Sequence, residues 1–175
     1  MSNPSKELLE RLETMIVQEA YIQRKNIEKQ WKLPLHERIS KGKAINGLCF
    51  SGENKENGNL IFTCDENSSL FRSGDSLFFH QGSPLDEDYI ECFLESDDER
   101  YIEISVYSRH ESKFVNHPQD WIADEGYLDL TDLYLGALFD VAEKDIGRNR
   151  ILPLLLGHLK SSVEVPVYMD QYQRA

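Results

Sequence analysis

The chain has 175 residues, of which 40% are hydrophobic, and it carries a formal net charge of −12. This length fits one domain or one domain with an appendage, and the hydrophobic content suffices for a globular core. The negative charge argues against a protein built mainly to coat nucleic acid. Neither an apolar signal segment nor an apolar run near 18 residues occurs, so we expect a soluble, cytoplasmic protein with no membrane partner.

The basic residues are concentrated near the start of the chain. Residues 1–45 hold nine Lys/Arg and six Glu, a net charge of +3, whereas the remainder carries −15. The stretch with the most basic residues is the expected place for any nucleic-acid-binding surface, and its members are Arg24, Lys25, Lys29, Lys32, Arg38, Lys41 and Lys43. An ordinary polar face is the alternative interpretation of the same residues.

Residues 1–43 are predicted to form a stalk helix and a basic junction. From Lys6 to Trp31 the sequence has no Gly or Pro, and the pair Leu33-Pro34 is a typical helix stop. A helix of about 26 residues is about 39 Å long, more than one small domain can cover. A narrow, mostly apolar stripe with 4-3-4-3 spacing runs along this helix through Leu8, Leu12, Met15, Glu19 and Ile22. A coiled-coil seam is therefore possible, although the stripe is interrupted at Glu19 and Asn26.

Residues 44–115 are predicted to form a small antiparallel β-barrel of five or six strands. Short strand-like runs recur, and closure into a barrel would remove their exposed edges. The runs are Ala44–Ser51, Asn59–Asp65, Leu77–His80, Asp88–Glu95 and Tyr101–Tyr107. The corner "FRSGDSLFFH" (Phe71–His80) contains a Ser-Gly-Asp turn. We expect Asp75 to accept hydrogen bonds from the backbone of this turn.

Residues 116–160 are predicted to be helical, and residues 161–175 to be a loose tail. One helix would have an apolar face of Leu135, Leu138, Phe139 and Ala142 and would end at Gly147. A second would span about residues 151–160. The chain is therefore expected to have an α+β fold with a long N-terminal helix, a barrel and C-terminal helices.

Motifs that carry chemistry are nearly absent. The sequence has no phosphate-binding glycine-rich loop, no metal-ligand spacing among its five histidines and no recognisable nucleophile setting. Cys49, Cys64 and Cys92 lie in apolar runs and are expected to be buried free thiols. We therefore expect no enzyme activity, cofactor or metal. A small enzyme stays open as an alternative, with a pocket around Arg109, His110 and Asp120-Trp121.

Two short motifs resemble a known family. "ERISKGKAINGLCF" is similar to a basic R-x-x-x-G segment that leads into a barrel strand, and it contains Arg38, Gly42, Leu48 and Phe50. The corner is similar to an F-x-x-G-D-x-apolar motif of the same barrel, and it contains Phe71, Gly74, Asp75 and Leu77. Together with the order of parts, they resemble the amino-terminal accessory region of superfamily-1 helicases of the nonsense-mediated-decay type and their immunoglobulin-mu-binding relatives. The resemblance covers about residues 28–175.

The resemblance implies a non-catalytic accessory module of an ATP-dependent helicase. Such a module would position or gate single-stranded DNA or RNA beside an ATPase core that is absent from this chain. Its partners would be the core and, weakly, the single strand, held by the seven basic residues of the junction. The alternative is an acidic protein-interaction module unrelated to nucleic acid, in which the barrel binds a partner protein.

Overall fold

The computed structural model describes residues 4–86, 88–106 and 111–159, so the predicted tail at 161–175 lies outside the described residues. The chain divides into two compact units. One contains residues 19–129, and the other contains the described residues before 19 and after 129. We call them the barrel unit and the helical unit.

Helix α1, Pro4–Trp31, is one continuous helix, as predicted. Ion pairs one turn apart support it, such as Lys6 with Glu10 and Arg24 with Glu28. The predicted stripe is partly wrong, because Met15 and Ile22 are 54% and 56% exposed. The less exposed side instead continues at intervals of four from Leu8 through residues 12, 16 and 20.

Helix α2, Leu35–Ser40, ends in a Schellman motif. The Lys43 amide donates to the Arg38 carbonyl at 2.9 Å and the Gly42 amide donates to the Ile39 carbonyl at 2.8 Å. Gly42 has a φ of +68°, and a Cβ there would lie 2.5 Å from Cγ of Leu70. Both the backbone conformation and the close approach therefore require glycine at this position.

Six antiparallel strands close the barrel in the order β1-β2-β5-β4-β3-β6. They are β1 Ala44–Glu53, β2 Leu60–Thr63, β3 Ser76–His80, β4 Ile90–Asp97, β5 Tyr101–Val106 and β6 Trp121–Glu125. The predicted α+β class and barrel are thus confirmed.

The closing strand β6 was not predicted. It lies in the 116–160 segment that the sequence assigns to helices, so the barrel extends past residue 115 to residue 125. The prediction failed because two of its five residues, Asp124 and Glu125, are acidic, which is uncommon in strands. Asp124 is nevertheless fully buried.

Apolar side chains from every strand fill the barrel interior. Helix α3, Glu111–Asn116, adds Phe114, which is fully buried. Its ring centroid lies 5.0 Å from that of Phe62 and 4.7 Å from that of Trp121. This short helix, which the sequence pattern did not indicate, therefore completes the core between β5 and β6.

Strand β3 is buried on both of its faces. Leu77 and Phe79 belong to the interior core, and Phe78 and His80 alternate with them on the outer face. These two outward side chains are 0% and 1% exposed. An outer face buried in this way must be covered by other elements of the barrel unit.

In the Phe71–His80 corner, Asp75 accepts a hydrogen bond from the backbone of the turn, as predicted. The Arg72 amide donates to Oδ2 of Asp75 at 2.8 Å, and the Asp75 amide donates to the Arg72 carbonyl at 2.9 Å. Gly74 has a φ of +92°, and Phe71 at the start of the corner packs into the core.

The helical unit contains α4, Thr131–Glu143, a π-helical turn, Gly147–Ile151, and α5, Leu152–Leu155. Two predicted boundaries are corrected. Helix α4 ends four residues before Gly147, and α5 is much shorter than the predicted 151–160 helix. Gly147 is nevertheless needed, because a Cβ there would overlap the backbone of Val141.

We expect Asp75→Ala to lower the free energy of unfolding by about 1 kcal/mol, since the Arg72 amide loses its side-chain acceptor. Asp75→Asn keeps a side-chain oxygen and is the matched control, with a smaller loss. Urea denaturation measures both. An Asp75→Ala protein as stable as wild type would contradict the structural role of this carboxylate.

Candidate functional site

Trp31, the last residue of α1, covers the outer face of the barrel. Its ring centroid lies 5.1 Å from that of Phe78, and its Nε1 donates to the Glu125 carbonyl at 3.0 Å. Gln30 donates to the carboxylate of Glu125 at 3.0 Å. The C-terminal turns of α1 are therefore fixed on strands β3 and β6.

Arg38, His80 and Asp124 form what we call the buried triad. One oxygen of Asp124, Oδ2, accepts a hydrogen bond from Nη1 of Arg38 and lies 2.8 Å from Nε2 of His80. The three residues come from α2, β3 and β6, and their exposures are 5%, 1% and 0%. The triad is therefore on the outer face of the barrel, sealed by α2.

The buried triad has a structural role. Three of its polar atoms, Nε of Arg38, Nδ1 of His80 and Oδ1 of Asp124, have no hydrogen-bond partner among the described residues. A His–Asp pair can orient a general base, but that role needs a reachable substrate. These three side chains are buried and offer a substrate no access.

Arg38 therefore does not belong to the predicted nucleic-acid surface. Sequence reasoning placed it there because its charge matched that of its neighbours. Its side chain is instead neutralised by a carboxylate that is 86 positions away in the sequence. No local spacing could have indicated that pairing.

The other six predicted residues, which we call the junction surface, are exposed or half-buried: Arg24, Lys25, Lys29, Lys32, Lys41 and Lys43. Most of them are neutralised by a nearby carboxylate. Glu28 pairs with both Arg24 and Lys25, Glu37 lies 3.9 Å from Lys41, and Glu125 pairs with Lys43. Lys29 and Lys32 are exposed and form no ion pair with any described residue.

The Glu28 pairs also affect protonation. The hydrogen bond that Lys25 donates to the Glu28 carboxylate raises the pKa of Lys25 and lowers the pKa of Glu28. Both groups therefore remain charged near neutral pH. A phosphate that approaches Lys25 must compete with this carboxylate.

Aromatic side chains accompany the junction surface, and sequence reasoning missed them. Tyr21 is 62% exposed, and Nζ of Lys25 lies 5.7 Å from its ring centroid. Tyr89 and Tyr127 are half-buried against Phe78. The four-residue spacing of Tyr21 and Lys25 could have indicated the first contact, whereas residues 89 and 127 are too distant in sequence.

Only part of the alternative enzyme site falls within the described residues. Arg109 and His110 lie outside the described residues. Asp120 is an exposed residue with a φ of +63°, and Trp121 is a core residue. Cys64 and Cys92 are buried free thiols, as predicted, but Cys49 is only half-buried.

Within the described ranges, no group of three or more His, Cys, Asp or Glu side chains could hold a metal ion. No described helix combines the length and the apolar character needed to cross a membrane.

No family model matches the chain, and no curated protein matches it significantly. The helicase resemblance therefore stays a prediction from short motifs. The structure gives several residues of these motifs local roles: Arg38 is in the buried triad, Gly42 ends α2, and Asp75 stabilises the corner.

Removing one charge of the buried triad should destabilise the barrel unit. We expect Asp124→Leu to cost about 3–5 kcal/mol of unfolding free energy, because it leaves the Arg38 guanidinium buried without a partner. The double variant Arg38→Met with Asp124→Leu should recover much of this loss. Lys41→Met, an exposed change next to α2, should shift stability by less than about 0.5 kcal/mol.

Chemical denaturation of the four proteins measures these differences. An Asp124→Leu variant as stable as the Lys41→Met control would show that the buried triad contributes nothing to holding α2 on the barrel. A double variant less stable than Asp124→Leu would show that the cost does not arise from an unpaired charge.

Proposed function

We propose that the chain is a non-catalytic accessory module that holds single-stranded DNA or RNA against the junction surface, beside the ATPase core of a helicase. The observation that carries the proposal is a set of six basic side chains along the end of α1, around α2 and just before β1, of which five are exposed and Lys43 is half-buried. The exposed ring of Tyr21 beside Lys25 adds a surface on which a base can stack.

The ion pairs of the junction surface limit its affinity. A nucleic-acid strand contacts Lys29 and Lys32 first, because neither lysine has to break an ion pair with a carboxylate. Contact with Arg24 or Lys25 requires phosphate to displace Glu28, and the net charge of −12 opposes approach. Binding is therefore weak when this chain acts alone, and it strengthens when a motor holds the same strand.

Binding at this surface also carries no sequence information. Lysine side chains reach phosphates and do not read base edges. Each neutralised phosphate contributes a slope of about −0.7 in the dependence of log affinity on log salt for a single strand. On this proposal the chain neither binds nor hydrolyses ATP, because its sequence has no phosphate loop, and it acts in the cytoplasm.

A second candidate function is a protein-interaction module. The observation that favours it is that α4 exposes large apolar side chains on more than one face, since Leu133, Tyr134 and Phe139 are 65%, 50% and 66% exposed. Side chains of this kind are typical of protein–protein contacts when they cluster.

Fluorescence anisotropy of a labelled single strand at two salt concentrations tests the first function. We expect weak binding by wild type that falls steeply with salt and shows little base preference. The variant Lys29→Glu with Lys32→Glu should lose most of this binding. Arg38 is left unchanged in this design, because its replacement would break the buried triad.

The matched control is Lys6→Glu with Lys55→Glu, which makes the same change in net charge at exposed positions outside the junction surface. An equal loss of binding in both variants would mean that the nucleic acid responds only to the overall charge of the protein. Binding that is tight and insensitive to salt would exclude a phosphate-based contact. A complete absence of binding would favour the protein-interaction function.

A further inference from the structure

The helical unit contains an apolar groove between the first half of α1 and α4. Its volume is about 270 Å³, and its lining residues are Leu9, Glu13, Leu135, Leu138, Phe139 and Ala142. Four of the six are the predicted apolar face of α4. This volume is below the ~300–1,000 Å³ of pockets that enclose small molecules. The groove is sized for side chains that project from a partner.

The apolar face of α4 is incompletely covered. No residue of α4 is buried, and Phe139 on the wall of the groove is 66% exposed. A helix in a globular protein normally buries its apolar stripe. The face around Phe139 therefore retains apolar surface for a partner.

Carboxylates border the groove. Glu13 lies in its wall. Asp132 and Glu143 are three residues before Leu135 and four residues after Phe139, so the helical repeat places both along the edge of the same face of α4. Within the described residues, none of these three carboxylates forms a salt bridge. The combination of an apolar floor and an acidic rim is complementary to a ligand with apolar anchors between basic side chains.

We propose that this groove binds a basic amphipathic helix of a partner protein. Apolar residues of that helix at i, i+4 and i+7 would enter between α1 and α4, and its Lys or Arg side chains would pair with the three carboxylates. A second copy of this chain is a poorer occupant, because it carries the same acidic rim and a net charge of −12. The proposal rests on the second candidate function, with which it shares Phe139, and none of its residues belongs to the junction surface.

The probes are two synthetic amphipathic peptides of about 18 residues, or five helical turns, with Leu on one face and Lys or Glu on the other. Fluorescence anisotropy measures the binding of each to the full chain. We expect the Leu/Lys peptide to bind at least about tenfold more tightly than the Leu/Glu peptide, with an affinity that falls as salt rises.

Two variants test the groove, and each has a matched control. Phe139→Ser removes the exposed apolar wall, and Leu133→Ser makes a similar change on the opposite face of α4. Glu13→Lys with Asp132→Lys reverses the rim, and Glu56→Lys with Glu66→Lys makes the same change in net charge at exposed positions of the barrel unit. We expect each groove variant to weaken binding of the Leu/Lys peptide about tenfold, and each control to leave it within about twofold.

Four outcomes overturn the proposal. They are no binding of the Leu/Lys peptide, equal binding of both peptides, equal weakening by the groove variants and their controls, and self-association that Phe139→Ser abolishes. The last, measured by sedimentation, would assign the groove to a second copy. Because all four concern the helical unit, loss of nucleic-acid binding by the Lys29 and Lys32 variant does not affect them.

Discussion

The carboxylate of Asp124 is the interaction on which the barrel unit depends. A single oxygen of this side chain accepts from Arg38 of α2 and lies beside His80 of β3. The next residue, Glu125, binds Gln30 and Trp31 from α1 and Lys43 at the entry to β1. Two consecutive residues of the last strand thus hold both preceding helices on the outer face of the barrel. The position of the junction surface follows from these contacts.

A buried ion pair is a weak source of stability, since both charges lose their hydration. Its stronger effect here is on register. Strand β6 closes the barrel by pairing with β1 and β3, and Asp124 stands opposite Ala44 on one side and Phe78 on the other. A slip of one residue would turn its carboxylate into the apolar interior. The pairing with Arg38 and His80 therefore favours one register for the strand that closes the sheet.

The parts of the fold that were predictable are those set by local patterns. The absence of Gly and Pro from Lys6 to Trp31 predicted α1, and the alternation of Ile102 and Ile104 with polar residues predicted β5. Strand β6 was missed because the burial of Asp124 depends on a partner from α2, which no local pattern contains. The same long-range pairing removed Arg38 from the predicted site. The exposure of the lysines could therefore be predicted from the sequence, because they face solvent. The burial of Arg38 could not, because its partner comes from a distant strand.

The chain presents two kinds of surface with opposite charge. The junction surface in the barrel unit is basic with an exposed aromatic ring, and the groove in the helical unit is apolar with an acidic rim. A polyanion is repelled by Glu13, Asp132 and Glu143, and a basic helix is repelled by Lys29 and Lys32. Charge alone therefore directs each proposed ligand to a different surface, without specific contacts to individual side chains. A net charge of −12 is then compatible with nucleic-acid binding, because part of the excess negative charge lies at the groove, where a cationic protein partner would neutralise it.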